Sequence, residues 1–330
     1  MDVIHFPEDP RPATWRSPVL ALGNFDGLHR GHVKIIERIQ RGALERGGMS
    51  VVLTFDPHPP RILRPDKAPA LLMTKAQKLD ALARAGVQGA AVVRFTRAMS
   101  QWEPDQFVRT VLVEWLRVAE VWVGADFQFG RDRSGNFNVL RSLGATYGFR
   151  AEKIDPIRYK DFVVSSTRIR RLVAEGRVDE AGALLGHHFV IDGTVVEGAK
   201  RGREIGFPTA NLSTNNELVP PNGVYATAVT IDGQLLPSVT NIGQRPTFGD
   251  QLATTIETHV IRFDSQRGGV AAAPLAQALR APPDLYGRNL HVVFVQRLRD
   301  ERKFSNIEAL QDQIAADVRR ATRLFDRLSV

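Results

Sequence analysis

Two textures divide the hydrophobic pattern. In the first half, compact apolar runs alternate with amphipathic stretches. Val19–Leu22, Ser50–Phe55, Ala90–Phe95 and Val121–Val123 are short runs without polar alternation, which predicts buried strands. Helix signals lie between them. One stretch runs from about Val33 to Arg46 and is closed by Gly47-Gly48. Another starts at Thr74, where Gln77 completes a capping box, and reaches Gly86. A third starts near Pro104, a first-turn proline, and reaches Trp115. Continuous apolar strands alternating with helices predict an α/β unit whose parallel sheet is covered on both faces. Such sheets take ligands at the carboxyl ends of their strands. Ser165–Gly186 is helical without strands. Beyond Gly186 the runs become short and β-rich: Phe189–Val196, Gly223–Ile231, Thr254–Phe263 and Leu290–Val295, with turns at Asp192-Gly193, Asn222-Gly223 and Asp232-Gly233. This predicts a β-barrel or sandwich, with a hairpin at Asp232-Gly233. A final helix carries Ile307, Leu310, Ile314, Val318, Ala321, Phe325 and Leu328 at helical spacing. Arg319, Arg320, Arg323 and Arg327 lie off that stripe and read as a solvated basic face rather than a nucleic-acid helix.

Length and composition sharpen this picture. A chain of 330 residues suits two domains, expected at 1–186 and 187–330. Hydrophobic residues are 43% and charged residues 24%, ordinary for a globular protein. The charge, 44 − 36 = +8, favours anionic partners such as nucleotides, nucleic acid or an acidic membrane surface. There is no cysteine, which excludes disulfides, thiolate zinc sites, iron–sulfur clusters and cysteine nucleophiles. No apolar run has the length of a membrane span, and the opening MDVIHFPEDPRPATW lacks the apolar segment of a secretory signal. A cytoplasmic protein without a membrane partner is expected. No two glycines are separated by a single residue, so a G-x-G-x-x-G fingerprint is excluded, and no P-loop is present. Ser265–Pro283, rich in Ala and Pro, is expected to be an inserted loop.

Several strings carry candidate chemistry. In GNFDGLHRGH, Gly23–His32, a strand ends, glycines allow close backbone approach and a helix begins. The free N–H groups and positive end of a helix suit phosphate, and His29 and His32, three apart, share one face. A zinc site of Asp26, His29 and His32 is the lesser reading, since nothing nearby completes a tetrahedral shell. In SSTRIR, Ser165–Arg170, Ser165 or Ser166 caps a helix whose free N–H groups, with Arg168, suit a polyphosphate. His58, presented by the two prolines of FDPHP, reads equally as a loop histidine or a ligand. Asp126 follows a strand end, where a carboxylate meets a ribose or a metal-bound phosphate. In GAKRGREIGFPTANL, Gly198–Leu212, glycines recur every fourth residue with basic residues between them, a pattern that wraps polyphosphate. Thr209 and Asn211 share a face of an extended segment and offer hard oxygen ligands suited to Mg²⁺. Period two puts Thr255, Glu257 and His259 on one face of a strand. A strand carboxylate of this kind is by default solvent-facing.

GNFDGLHRGH resembles the H-x-G-H motif of the nucleotidyltransferase superfamily. Together with SVVLTFDPHP (Ser50–Pro59), VGADFQFGRDRSG (Val123–Gly135) and SSTRIR, it is similar to the bacterial bifunctional riboflavin kinase/FAD synthetase family. The second half resembles flavokinases through G-x-P-T-A-N, GVYA (Gly223–Ala226), NIGQRPTFG (Asn241–Gly249), ETH (Glu257–His259) and LYGRNL (Leu285–Leu290). The resemblance runs from about Val19 to the last helix, and Ser265–Pro283 departs from it. It implies an α/β nucleotidyltransferase domain with a parallel sheet, followed by a flavokinase β-barrel domain with a C-terminal helix. It implies catalytic roles for Glu257, His29, His32 and Arg168. ATP or phosphate would be bound by Gly23, Phe25, Gly31, Ser165, Ser166, Thr167, Gly198, Lys200, Gly202, Gly206 and Pro208. The flavin would meet Phe55, Asp56, His58, Asp126 and Phe127, and Mg²⁺ would be held by Thr209 and Asn211. The partners would be riboflavin, FMN, FAD and ATP, not nucleic acid. Three alternatives stand beside this reading, one being that a single activity survives, although no motif residue is lost. The first half would adenylylate another phosphate ester, or the basic barrel would bind RNA or regulate. Aromatics at 8%, not clustered with basic residues in the barrel, speak against the RNA alternative.

Overall fold

The apolar runs of the first half pair side by side because both their faces are covered. In the computed structural model, which describes residues 1–198, 205–231, 233–246, 252–261 and 285–328, the sheet strands are β1 (Asp2–Phe6), β2 (Val19–Leu22), β3 (Ser50–Phe55), β4 (Gly89–Val93), β5 (Glu120–Gly124) and β6 (Arg150–Ile154). They form one parallel sheet in the order β1-β4-β3-β2-β5-β6. Helices α1 (Arg30–Glu45) and α2 (Lys75–Arg84) lie in this half, α2 behind the expected Thr74–Gln77 capping box. Val19, Ala21 and Val52 pack with Ile35, Ile36 and Ile39 of α1 and Leu82 of α2 on one side of the sheet. Leu20, Leu22, Val51 and Leu53 pack with Phe107, Val108, Val111, Leu112 and Leu140 on the other. The helix expected from Pro104 is α-helical only over Pro104–Phe107, and Val108–Trp115 winds as a π-helix.

The second half is a closed antiparallel barrel. Its strands are β7 (Phe189–Val196), β8 (Ala210–Thr214), β9 (Gly223–Ile231), β10 (Gln234–Pro246), β11 (Leu252–Val260) and β12 (Asn289–Arg299), in the order β7-β8-β11-β10-β9-β12 and back to β7. The expected hairpin joins β9 to β10, with Ile231 opposite Gln234. Asp232 lies outside the described residues, as does Ser265–Pro283. The C-terminal helix Ile307–Leu328 buries Ala321 and Phe325 against Val224, Val239, Val295 and Leu298. Arg319, Arg320 and Arg323 stay exposed, while Ile307, at the start of the stripe, is 63% exposed. Two more helices, α3 (Ser166–Ala174) and α4 (Val178–Leu185), precede the barrel. The chain divides into two compact units, Met1–Arg168 with Leu184–Gly186, and Ile169–Ala183 with His187–Val330. Among the described residues no helix is long and apolar enough to cross a membrane.

Candidate active sites

The first site is built on the loop between β2 and α1. The Gly23 N–H donates to Leu53 O at 3.1 Å, which anchors the loop to β3. Gly27 has φ +85, and a Cβ there would lie 2.6 Å from Leu72 Cδ1, so only glycine fits. Phe25 (φ 50) and Leu28 (φ 38) hold the same left-handed region without that freedom, a strain typical of ligand loops. The Asp26 carboxylate is buried and accepts the backbone N–H groups of Leu72 at 3.0 Å and Met73 at 3.3 Å. His29 is the N-cap of α1, and its Nδ1 accepts from His32 N at 3.4 Å. The two rings stack at 3.6 Å and 14°, and a Cβ on Gly31 would come within 3.1 Å of the His29 ring. Phe25 lies 5.0 Å from His32.

A segment 140 residues later meets this loop. Ser166 Oγ donates to Asp26 O at 2.9 Å. Ser165 Oγ accepts from Arg168 N at 3.3 Å, which makes Ser165 the cap of α3. Thr167 is exposed, and the Arg168 guanidinium lies over the Phe162 ring at 3.8 Å.

The residues expected around the flavin fall into two groups. Phe55 ends β3 and touches Phe95 and Phe107. Phe107 touches Phe129, which stacks on Phe127 at 5.2 Å. Asp126 and Phe127 line a cavity of about 480 Å³ with Gln128, Arg133, Asn136 and Lys153. Phe55, Asp56 and His58 do not line that cavity. Asp56 pairs instead with Lys75 at 3.0 Å, and His58 is buried ahead of the short helix Pro59–Leu63.

In the barrel, strand register assembles the second site. Asn211 on β8 stands opposite Glu257 on β11, and Glu257 stands opposite Asn241 on β10. Ile256 and Thr258 are buried and Glu257 is not, so period two turns Glu257 to the other face of β11. Thr209 directly precedes β8. His259 Nδ1 donates to Pro208 O at 2.8 Å, and its ring meets Phe207 edge-on at 5.5 Å, which ties the Phe207–Thr209 segment to β11. Gly206 turns the chain with φ +84. A Cβ on Gly198 would fall 2.0 Å from Asn211 Nδ2, so the backbone of Gly198 cradles that amide. This cradle and the oxygen-bearing side chains of Thr209 and Asn211 fit a hard, phosphate-bound cation such as Mg²⁺. Lys200 and Gly202 lie outside the described residues.

An FAD synthetase family model matches residues 11–168 and a riboflavin kinase model matches residues 185–325. A bifunctional riboflavin kinase/FMN adenylyltransferase of Pseudomonas fluorescens is 38% identical over 94% of this chain and 93% of its own. The chain belongs to the bifunctional riboflavin kinase/FMN adenylyltransferase family. Relatives so named in Escherichia coli K12 and Bacillus subtilis are 37% and 34% identical, over 93% and 94% of this chain and 92% and 93% of theirs. A crystal structure described as a macrolide-efflux protein of Streptococcus pneumoniae superposes with a TM-score of 0.81 at 27% identity, over 96% of this chain and 97% of its own. As a family member the chain is a transferase with two activities, riboflavin phosphorylation and FMN adenylylation, and its families use ATP.

Electrostatics set this family member's first site apart. Burial, then His29, then Lys78 hold the His32 imidazole well below its ordinary pKa, so it is neutral at pH 7. Lys78 on α2 is itself lowered, chiefly by burial. Lys78, Thr54 and Asn241 carry no local signal of a site in the sequence. Lys78 reads as one more polar position of an amphipathic helix, and Thr54 as one of a run of strand residues. Asn241 opens NIGQRPTFG, but only register reveals it as the neighbour of Glu257.

Proposed function

We propose that the two activities are divided at Gly186, with adenylyl transfer in residues 1–186 and riboflavin phosphorylation in 187–330. In the second half Glu257 takes the proton of the ribityl 5′-hydroxyl as that oxygen attacks the γ-phosphate of ATP. Thr209 and Asn211 would hold Mg²⁺, which supplies charge neutralisation at the transferring phosphate. Gly198, Lys200, Gly202, Gly206 and Pro208 wrap the triphosphate. In the first half an oxygen of the FMN phosphate attacks the α-phosphorus of a second ATP, and pyrophosphate leaves. Gly23, Phe25 and Gly31 shape the backbone around the phosphates. Ser165, Ser166 and Thr167 bring the helix N-terminus that carries Arg168. His29, His32 and Arg168 stabilise the charge that develops. Phe55, Asp56, His58, Asp126 and Phe127 bind the flavin and the nucleotide. The reactants are riboflavin, FMN and ATP and the final product FAD, in the cytoplasm, without nucleic acid or a membrane.

The observation that carries this reading is the Ser166–Asp26 hydrogen bond of 2.9 Å, which joins the Arg168 helix to the loop that carries the stacked histidines. Reciprocal variants test it in one assay with riboflavin, ATP and Mg²⁺. His29→Ala with His32→Ala is expected to abolish FAD formation and leave FMN formation intact. Glu257→Gln keeps size and hydrogen bonding but accepts no proton. Its kcat for FMN formation is expected to fall by roughly 10²–10⁴, while FAD still forms from supplied FMN. Equal loss of both activities in either folded variant contradicts the assignment.

A further inference from the structure

Lys78 sits in the first turns of α2 and is only 7% exposed. A lysine on a helix normally keeps its ammonium in water. Here the ammonium donates to Thr54 Oγ1 at 3.3 Å, and Thr54 Oγ1 donates to Asn24 O at 3.1 Å. The charge is thereby tied to the floor of the Gly23–His32 loop.

The ammonium has three N–H groups, and among the described residues this hydroxyl is its one side-chain partner. The two carboxylates whose fields reach it, Asp26 and Asp56, bond elsewhere. Asp26 accepts from Leu72 and Met73, and Asp56 pairs with Lys75. Among the described residues Lys78 forms no ion pair. Beside it, the His32 Nδ1 is enclosed and has no hydrogen-bond partner among the described residues. A buried cation short of acceptors, next to an imidazole at a helix N-terminus, is complementary to an anion.

We propose that Lys78 is a further catalytic residue of adenylyl transfer, whose ammonium meets the α-phosphate oxygens of ATP. The proposal rests on the reading of His29 and His32 given above. In that step an FMN phosphate oxygen forms a bond to the α-phosphorus. The bond from the α-phosphorus to the bridging oxygen breaks, and its electron pair leaves with pyrophosphate. No proton or redox partner is consumed. Negative charge shifts among the α-phosphate oxygens in the transition state, and a fixed, desolvated cation stabilises it there.

The test uses the full chain. Lys78→Met keeps the stem and removes the charge. Its kcat for FAD formation from FMN and ATP is expected to fall by about 10²–10³. Riboflavin phosphorylation in the same sample is expected to stay unchanged. The alkaline fall in kcat/KM for FAD formation, where the ammonium loses its proton, is expected to vanish in this variant. A purely supporting lysine would leave that limb in place. FAD formation within threefold of the parent, or an unchanged alkaline limb, overturns the proposal. Thr54→Val decides independently, including where Lys78→Met fails to fold. If the ammonium acts on substrate, losing its anchor costs less than tenfold. If Lys78 only props the loop, Thr54→Val costs as much as Lys78→Met, or 10²-fold where that variant does not fold. His29→Ala with His32→Ala, run in parallel, separates the two readings. If that variant still makes FAD, the site assignment has failed. If it does not while Lys78→Met does, only the Lys78 proposal has failed.

Discussion

At the scale of single residues, the first site is a balance between burial and charge. His32 is enclosed by Phe25, stacked on His29 and faced by Lys78 from α2. Each of these disfavours the imidazolium, so the folded-state pKa lies below the ordinary 6.5. The sign of the consequence follows from linkage. Below pH 6.5 the unfolded chain takes up a proton on His32 before the folded one does. Stability from this group is therefore complete above about pH 6.5 and is lost as pH falls toward the lowered folded value. The melting temperature of the first half is expected to drop between pH 7 and pH 5.5. In His32→Gln, which has no proton to take up, it is expected to drop less. Parallel curves for parent and variant in scanning calorimetry contradict the assignment. A neutral imidazole also suits the proposed chemistry, because it donates a hydrogen bond to phosphate without the cost of a buried charge.

At the scale of elements, the position of Glu257 depends on the register of β11. A slip of one residue would turn Glu257 into the barrel and Thr258 out of it. A ladder of buried hydroxyls holds the register. Thr227 Oγ1 lies 2.8 Å from Ser238 Oγ and 2.7 Å from Thr240 Oγ1, and Thr240 Oγ1 lies 2.9 Å from Thr258 Oγ1. These bonds run across β9, β10 and β11 and are directional, where aliphatic side chains would tolerate a shift. The loop after β7 contributes the Gly198 backbone. Gly198→Ala would place a Cβ 2.0 Å from Asn211 Nδ2, a separation that forces the amide to move. If Asn211 holds Mg²⁺, the Mg²⁺ concentration for half-maximal FMN formation is expected to rise by tenfold or more, with FAD formation from FMN unchanged. A magnesium titration of both activities reads this out, and an unaltered requirement removes Asn211 from the metal shell.

At the scale of the whole molecule, the two family models meet the chain as separate segments, 11–168 and 185–325. The barrel closes on itself and has its own core with the C-terminal helix. A fragment from His187 onward is accordingly expected to phosphorylate riboflavin. The compact unit around the barrel also includes Ile169–Ala183, where a Cβ on Gly176 would come within 3.0 Å of Arg297 Cδ. A fragment from Ile169 is therefore expected to melt higher than one from His187, with similar kinase activity. A folded His187 fragment without activity overturns the division at Gly186.

Features that rest on local pattern were legible in the amino-acid sequence alone. β2, β3 and β9 appear where apolar runs end at turn residues, because a strand buried along most of its length needs no outside information to be recognised. β7 instead carries Asp192-Gly193, read as a turn, inside the strand, and its burial alternates. The Thr74–Gln77 box and the last helix follow from capping chemistry and period. The family resemblance, carried by contiguous strings, was legible for the same reason. The tertiary structure decided the rest. β1 and β6 are sheet edges of mixed polarity, and β10 carries Pro237, Gly243 and Pro246, residues that read as breakers. Only pairing with neighbours makes them strands. The opposition of Asn211, Glu257 and Asn241 is a matter of register between strands distant in sequence. The burial of Lys78 against Thr54 depends on where α2 docks on the sheet. Helical periodicity assigns a lysine to a surface, and a strand pattern assigns a threonine to a row. Neither contains the distance between them, which long-range packing sets.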